Sequence, residues 1–317
     1  MANCITCGRA LPAFTFGQQG DVCRDCRASA IDVQSNVQGD VRNAQSRIDD
    51  KDPRWAHRAA TAPRVAMPRP RPPVTTTILA LNTIVFVVML LSGVSLTEPT
   101  IRQLLTWGAN WGPLSLTTQP WRILVSNYLH IGIIHIALNM WCLWNLGALA
   151  EQIFDPWTYV LTYTACGIAG SIASLWWHPL VVGAGASGAI FGLAGALIAA
   201  LYLGRLPIHP QAMKATLRSL LTFAGYNLFF GGVVAGIDNS AHIGGLITGL
   251  ILGALLAWHL TEPRDVRNGW RNAIFIAAIL ALFGAYTAVK QTRGKVVPQR
   301  LTPSLYLPLL HRQASVQ

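Results

Sequence analysis

Seven long apolar runs constrain this chain more than any other feature of its sequence. Each run is close to the roughly 20 residues that an α-helix needs to cross the hydrocarbon core of a bilayer. Only 12% of the 317 residues are charged, against about a quarter in soluble domains. We therefore expect an all-α polytopic membrane protein. The expected spans lie at about 76–95, 127–149, 157–177, 186–203, 216–235, 240–259 and 271–289.

Basic residues in the loops predict the orientation of these spans. Four arginines just before the first run indicate a cytoplasmic N-terminus: Arg58, Arg64, Arg69 and Arg71. The basic loops between spans 4 and 5 and between spans 6 and 7 then also fall inside. The basic C-terminal tail falls outside, against the rule, but the run at 271–289 is long and apolar and we keep it as a span. The first residues lack a charged segment followed by an apolar one, so we expect no signal peptide.

Changes in composition divide the chain into four parts. Residues 1–30 form a polar cysteine-bearing module, 31–73 a polar and then Pro/Arg-rich linker, 74–260 a six-span core, and 261–317 a loop, the seventh span and a basic tail. The formal net charge is +11, and the basic residues cluster beside the spans, where anionic lipids favour them. We therefore expect the lipid bilayer as a partner and no nucleic acid.

The N-terminal module carries two Cys-x-x-Cys pairs. Cys4 and Cys7 are separated by fifteen residues from Cys23 and Cys26, a spacing typical of a structural zinc site. Two such pairs complete a tetrahedron of thiolates, and a segment this short gains its folding energy from the metal. Iron in the same geometry stays an alternative, while the cytosolic placement argues against disulfides. We expect a zinc-ribbon-like module with a structural role, and no cofactor for catalysis.

A serine opens the fourth run. Small residues such as Gly188, Gly192 and Ala196 let membrane helices approach closely, and packing alone would explain a lone Ser187. The preceding Val182-Gly183-Ala184-Gly185 predicts irregular backbone, which is tolerated at membrane depth only when it is buried or lines a water cavity. Ser187 is therefore expected at a helix N-terminus that faces such a cavity.

A histidine lies inside the sixth run. His242 by itself fits an interhelical hydrogen bond, yet ionisable groups within membrane spans are usually functional. Gly245 and Gly249 share its helical face, so this face can pack tightly against the small residues of the fourth run. Close approach would bring the imidazole to Ser187, which gives a nucleophile and its base.

Polar residues in the second run complete the constellation. His135 and Asn139 are four residues apart on one face, where donors suit a developing oxyanion. His130 lies near the mouth of the span, where holding loop or water structure is an alternative role. A metal site formed by these residues lacks an acidic ligand.

These motifs together resemble the rhomboid intramembrane serine proteases over about residues 76–260. The resemblance rests on Trp121-Arg122, His130-x4-His135-x3-Asn139, Gly185-Ala186-Ser187-Gly188 and Ala241-His242-x-Gly244-Gly245-x3-Gly249. It implies a six-helix rhomboid-type bundle, here with one added C-terminal helix and the N-terminal module. It further implies a Ser187–His242 dyad, oxyanion donors from His135, Asn139 and the Ser187 backbone N–H, and a structural role for Trp121 and Arg122. Phe191 stands where the family often has a tyrosine that stacks on the histidine.

The resemblance implies an endopeptidase that cleaves transmembrane proteins near the outer face of the cell membrane. Two other functions are weighed against it. A catalytically inactive relative that binds membrane proteins would have lost the serine or the histidine, and both are present. A transporter or proton relay would carry internal repeats and acidic residues within its spans, and the sequence has neither.

Overall fold

The computed structural model describes residues 72–204, 206–234 and 236–294. Within these residues every regular element is a helix, apart from one antiparallel bridge between Asn110 and Gly183. The helices are α1 (Pro73–Leu91), α2 (Ile101–Trp107), α3 (Gly112–Ser115), α4 (Arg122–Val125), α5 (Gly132–Ile153), α6 (Pro156–Trp177), α7 (Ser187–Leu203), α8 (Pro210–Val233), α9 (Asn239–Ala257) and α10 (Arg264–Arg293). A short 3-10 helix, Ser126–Tyr128, lies between α4 and α5.

Each of the seven predicted spans coincides with a helix. Five of these helices are long and apolar enough to cross a membrane: α1, α5, α6, α9 and α10. The helix α7 is apolar but has only 17 residues. The helix α8 has 24 residues, and polar residues such as Arg218 and Asn227 lower its mean hydropathy. These five helices support a helical, multi-pass membrane bundle. The number of membrane crossings stays a prediction.

Local signals explain where two central helices begin. Asp155 accepts hydrogen bonds from the backbone N–H groups of Trp157 and Thr158, and Pro156 occupies the first turn of α6. Asp238 caps α9 in the same way, through the N–H groups of Ser240 and Ala241. A carboxylate at this position satisfies N–H groups that have no partner within the helix and interacts favourably with the helix dipole.

The helix α7 lies at the centre of the bundle and packs most extensively against α9. Glycines on α9 make this approach possible. A Cβ atom added at Gly245 would overlap the carbonyl oxygen of Gly188, and one at Gly249 would overlap that of Gly192. The two backbones are therefore in direct contact, as is typical of small-residue interfaces in membranes.

The connection between α1 and α5 contains the short helices α2, α3 and α4. A capping box at Thr100 and Gln103 begins α2, and Gly108 ends it with a φ of +104°. The buried Arg122 donates through Nη1 to the carbonyl oxygens of Leu105 (2.7 Å) and Ala109 (3.0 Å). Because one guanidinium satisfies both carbonyls, it fixes the end of α2 to the start of α4.

Replacing Arg122 by methionine is expected to lower the free energy of unfolding by about 3 kcal/mol, because two buried carbonyl groups lose a charged donor. Burial lowers the pKa of Arg122 to about 10, so the guanidinium still carries its charge at neutral pH. Thermal unfolding of the purified chain in detergent measures the change. Arg102→Met, at an exposed position of α2, is the matched control. Equal stability of the two variants would contradict the role given to Arg122.

The C-terminal helix α10 packs mainly on α6 and is attached near both ends. Near its N-terminus Arg271 pairs with Asp155, the cap of α6, at 3.2 Å. Near its C-terminus the Tyr286 hydroxyl donates to the carbonyl oxygen of Ser115 at 3.0 Å. The guanidinium of Arg293 lies 4.9 Å above the ring of Trp176. The added helix is thus part of the described bundle.

Candidate active site

Irregular backbone leads into Ser187, the first residue of α7. The amide of Gly185 donates to the carbonyl oxygen of Ser126 at 2.9 Å. Gly183 and Asn110 exchange two backbone hydrogen bonds of 2.8 Å each. Gly185 has a φ of +136°, a conformation that side chains rarely adopt. These bonds hold the segment in place, and Ser187 follows at the helix N-terminus, where backbone N–H groups have no partner within the helix.

His242 lies in the first turn of α9 and contacts the serine directly. Its Nε2 atom is 2.9 Å from the Oγ atom of Ser187. The ring of Phe191, one turn into α7, stacks on the imidazole with centroids 4.2 Å apart and an interplanar angle of 13°. The side chain of His242 is buried and held between this ring and the serine. A hydroxyl and an imidazole at this distance can act as a nucleophile and a general base.

His135 lies on α5, beside the segment that precedes the serine. Its Nδ1 atom accepts a hydrogen bond from the amide of Ile131 at 3.1 Å. The neutral ring therefore carries its proton on Nε2, because only one nitrogen of a neutral imidazole is a donor. A Cβ atom at Gly185 would lie 2.9 Å from this Nε2 atom, so this edge of the ring lies beside the backbone two residues before Ser187. His135 and Ser187 line the same cavity, so this N–H group can donate to a group bound there.

Asn139 and His130 flank His135. The amide nitrogen of Asn139, one turn along α5, donates to the carbonyl oxygen of His135 at 2.9 Å, which leaves its second N–H free of that bond. His130 is fully buried, and its ring lies edge-on to that of His135 with centroids 5.3 Å apart. It therefore packs against His135, just before the first residue of α5, and its expected role in holding loop or water structure stays a prediction.

A cavity of about 920 Å³ joins these groups. Ser187, His242, His135 and Asn139 all line it, together with apolar residues of α5 and α8 such as Leu138 and Phe223. Polar groups that converge in one largely apolar cavity are typical of a binding or active site.

Two residues near His242 differ in what they offer the imidazole. Asp238 directs one carboxylate oxygen at the N–H groups of Ser240 and Ala241 and at the Ser240 hydroxyl, so it serves as a helix cap. Asn239 instead places its Oδ1 atom 3.3 Å from Nδ1 of His242. Asn239 was not among the site residues predicted from the sequence. Its spacing of three residues from His242 on one helix was the available signal.

The remaining predicted site residues fall in two groups. Trp121 covers Gly108 with its ring, and the guanidinium of Arg122 lies 4.9 Å from the centre of that ring. Neither residue lines the cavity, and both support the segment between α1 and α5. The four module cysteines, Cys4, Cys7, Cys23 and Cys26, lie outside the described residues, as do the linker and the tail beyond Gly294. The zinc site stays a prediction.

Comparison with known proteins addresses the family. Residues 117–259 match the Rhomboid domain. The chain is 38% identical over 186 residues to Rhomboid protease GluP of Bacillus subtilis (strain 168), covering 59% of this chain and 35% of that protein. It is 36% identical over 149 residues to RHOMBOID-like protein 7 of Arabidopsis thaliana, covering 47% of each chain. It is 28% identical over 219 residues to Rhomboid protease AarA of Providencia stuartii, covering 62% of this chain and 76% of that protein.

The chain therefore spans about a third to a half of the length of the first two of these relatives. The matched domain contains α5 to α9, and with them both Ser187 and His242. Over this part of the chain, the protein is therefore similar to the Rhomboid domain and to the rhomboid relatives named above.

Proposed function

We propose that this chain is an intramembrane serine endopeptidase in which Ser187 and His242 form a catalytic dyad. The observation that carries the proposal is the 2.9 Å contact between His242 Nε2 and Ser187 Oγ inside the cavity. Packing of the apolar core does not require a hydroxyl or an imidazole at these two positions. Serine is a weak nucleophile alone, and an adjacent general base activates it.

The reaction is acyl transfer. His242 Nε2 takes the proton of the Ser187 hydroxyl as Oγ attacks the carbonyl carbon of the scissile peptide bond. The protonated imidazole then gives this proton to the leaving amine, which departs with the C-terminal fragment. A water molecule then attacks the acyl ester while the imidazole takes one of its protons. The imidazolium returns this proton to the departing Ser187 Oγ, which releases the N-terminal fragment and restores the serine hydroxyl.

The oxyanion that forms in each step meets donors on two sides. The backbone N–H of Ser187 lies at the N-terminus of α7, and the Nε2 edge of the His135 ring lies beside the segment before it. The free N–H of Asn139 lines the same cavity. Fixed donors of this kind act strongly in a site of low dielectric constant, and one of them is typically worth about 10²–10³ in rate.

The substrates that fit this site are transmembrane proteins, cleaved near the outer face of the cell membrane. The apolar walls of α5 and α8 suit a membrane segment, and the basic loops favour a cytoplasmic N-terminus. A helix in lipid keeps its peptide bonds within its own hydrogen-bond ladder. We therefore expect Gly or Pro near the scissile bond to favour cleavage.

Cleavage and active-site labelling test the proposal together. The full chain in liposomes should cleave a single-span model substrate that carries Gly and Pro near its outer end, and a fluorophosphonate probe should label it. Ser187→Ala should lose both signals, because the only change is the loss of the attacking oxygen. Ser219→Ala is the control, since the Ser219 hydroxyl bonds to Ala215 of its own helix α8. Cleavage by Ser187→Ala at the wild-type rate would overturn the dyad.

A further inference from the structure

Asn239 connects the imidazole of His242 to the neighbouring helix α8. Its Oδ1 atom is 3.3 Å from His242 Nδ1, and its Nδ2 atom donates to the backbone carbonyl oxygen of Leu228 at 2.9 Å. We propose that Asn239 is a positioning residue that holds His242 in the tautomer with its proton on Nδ1, and that the Leu228 carbonyl of α8 fixes the orientation of the Asn239 amide. This inference rests on the proposed protease function of the same site.

The carbonyl group of Leu228 can only accept a hydrogen bond. The side-chain amide of Asn239 has one accepting and one donating end. Its NH₂ group must therefore face Leu228, and its oxygen faces His242 as a consequence. An amide whose two ends meet different partners is oriented by that network.

The orientation of the amide decides the protonation of the imidazole. An accepting oxygen 3.3 Å from Nδ1 favours a proton on Nδ1, because that nitrogen can then donate. In the neutral ring Nε2 then carries the lone pair. This lone pair faces Ser187 Oγ at 2.9 Å and can accept the hydroxyl proton. The opposite tautomer would present an N–H group to the serine and could not act as its base.

No carboxylate near His242 takes this role. The carboxylate oxygen of Asp238 is engaged by the first N–H groups of α9 and by the Ser240 hydroxyl. Asn239 is a neutral partner that meets the ring through a hydrogen bond at Nδ1. The reacting pair remains Ser187 and His242, and Asn239 acts through the histidine.

Gly231 on α8 leaves the space that the side-chain amide of Asn239 occupies. A Cβ atom added at Gly231 would overlap the Oδ1 atom of Asn239. A methyl group there would turn the amide away from His242, since an amide at the end of a side chain moves more easily than backbone. Gly225, on the same helix, has no atom within 4 Å of an added Cβ. Gly231→Ala and Gly225→Ala are therefore matched variants that differ in contact with Asn239.

The first experiment measures the kinetics of the full chain in liposomes with the single-span model substrate. Asn239→Leu should lower kcat about 10- to 100-fold with little change in KM, the size of effect typical of removing the outer partner of a functional histidine. Asn239→Asp keeps an acceptor for Nδ1 and should retain more of kcat than Asn239→Leu. Gly231→Ala should lower kcat, and Gly225→Ala should not. Wild-type kcat in both Asn239→Leu and Gly231→Ala would overturn the proposal.

The second experiment reads the tautomer directly by ¹⁵N NMR of histidine-labelled chain in micelles, with the His242 signals identified by their loss in His242→Ala. We expect a protonated Nδ1 and an unprotonated Nε2 in the wild type and in Asn239→Asp, and a shift toward protonated Nε2 in Asn239→Leu. A tautomer that is unchanged in Asn239→Leu would overturn the positioning role even if Ser187 is the nucleophile. The expected tautomers in a chain that neither cleaves nor is labelled would support the positioning role and overturn the protease function.

Discussion

Ser187→Ala and His242→Ala are each expected to lower the rate of substrate cleavage by about 10⁴-fold or more, and the double variant is expected to be no slower than either. The reason is that the two atoms 2.9 Å apart carry out one proton transfer. Without the serine there is no attacking oxygen, and without the histidine the hydroxyl keeps its proton. Rates of substrate cleavage in liposomes, measured for all four combinations, give the coupling between the residues.

Two controls separate this loss from damage to the fold. Ser219→Ala removes a hydroxyl from α8, and His259→Ala removes an imidazole just after α9 that stacks on Trp270 and not on the dyad. Both should keep the wild-type rate of cleavage. A double variant much slower than either single variant would mean that Ser187 and His242 act independently, which contradicts a dyad.

Gly249→Ala is expected to lower the free energy of unfolding by about 3 kcal/mol, at the upper end of the usual cost of overpacking a core. The added Cβ would overlap the carbonyl oxygen, carbonyl carbon and Cα atom of Gly192. Backbone cannot rotate away as a side chain does, so α7 and α9 must separate. Because Ser187 lies on α7 and His242 on α9, cleavage should fall with stability.

Gly284→Ala is the matched control, since an added Cβ there has no atom within 4 Å. It makes the same chemical change in α10, a helix of similar apolar character. Thermal unfolding in detergent and the rate of cleavage should both stay at wild-type values for this variant. Equal unfolding curves for Gly249→Ala and Gly284→Ala would show that the α7–α9 contact tolerates a methyl group.

The helices of this bundle could be predicted largely from the chain itself, because a membrane span needs a long apolar run. Their ends were less predictable. The second span was expected from about residue 127, but α5 begins at Gly132, which has a φ of +82° and follows a separate 3-10 helix. The seventh run was expected at 271–289, but α10 extends from Arg264 to Arg293 because its charged ends continue the helix. Hydropathy marks the apolar part of a helix and not its polar ends.

The candidate site also had parts that the sequence predicts and parts that it does not. Polar residues in apolar runs marked Ser187, His242, His135 and Asn139, which all line the cavity of the structure. The bonds between Asn110 and Gly183 join residues far apart in the chain, and no local pattern predicts such a pair. The role of Asn239 depends on a backbone carbonyl of α8, and a carbonyl has no signature in the sequence. Hydrogen bonds made by backbone groups can therefore be identified only once the fold is known.

The attachment of α10 to α6 bears on the order in which the protein is made. A ribosome synthesises Ser187 and His242 before it reaches Arg264. The nascent chain therefore contains both residues while the face of α6 that packs against α10 is still uncovered. The Asp155–Arg271 pair and the Tyr286–Ser115 hydrogen bond form only after that. Of the described helices, α10 is therefore the last to be synthesised, and it covers α6 when Ser187 and His242 are already in the chain.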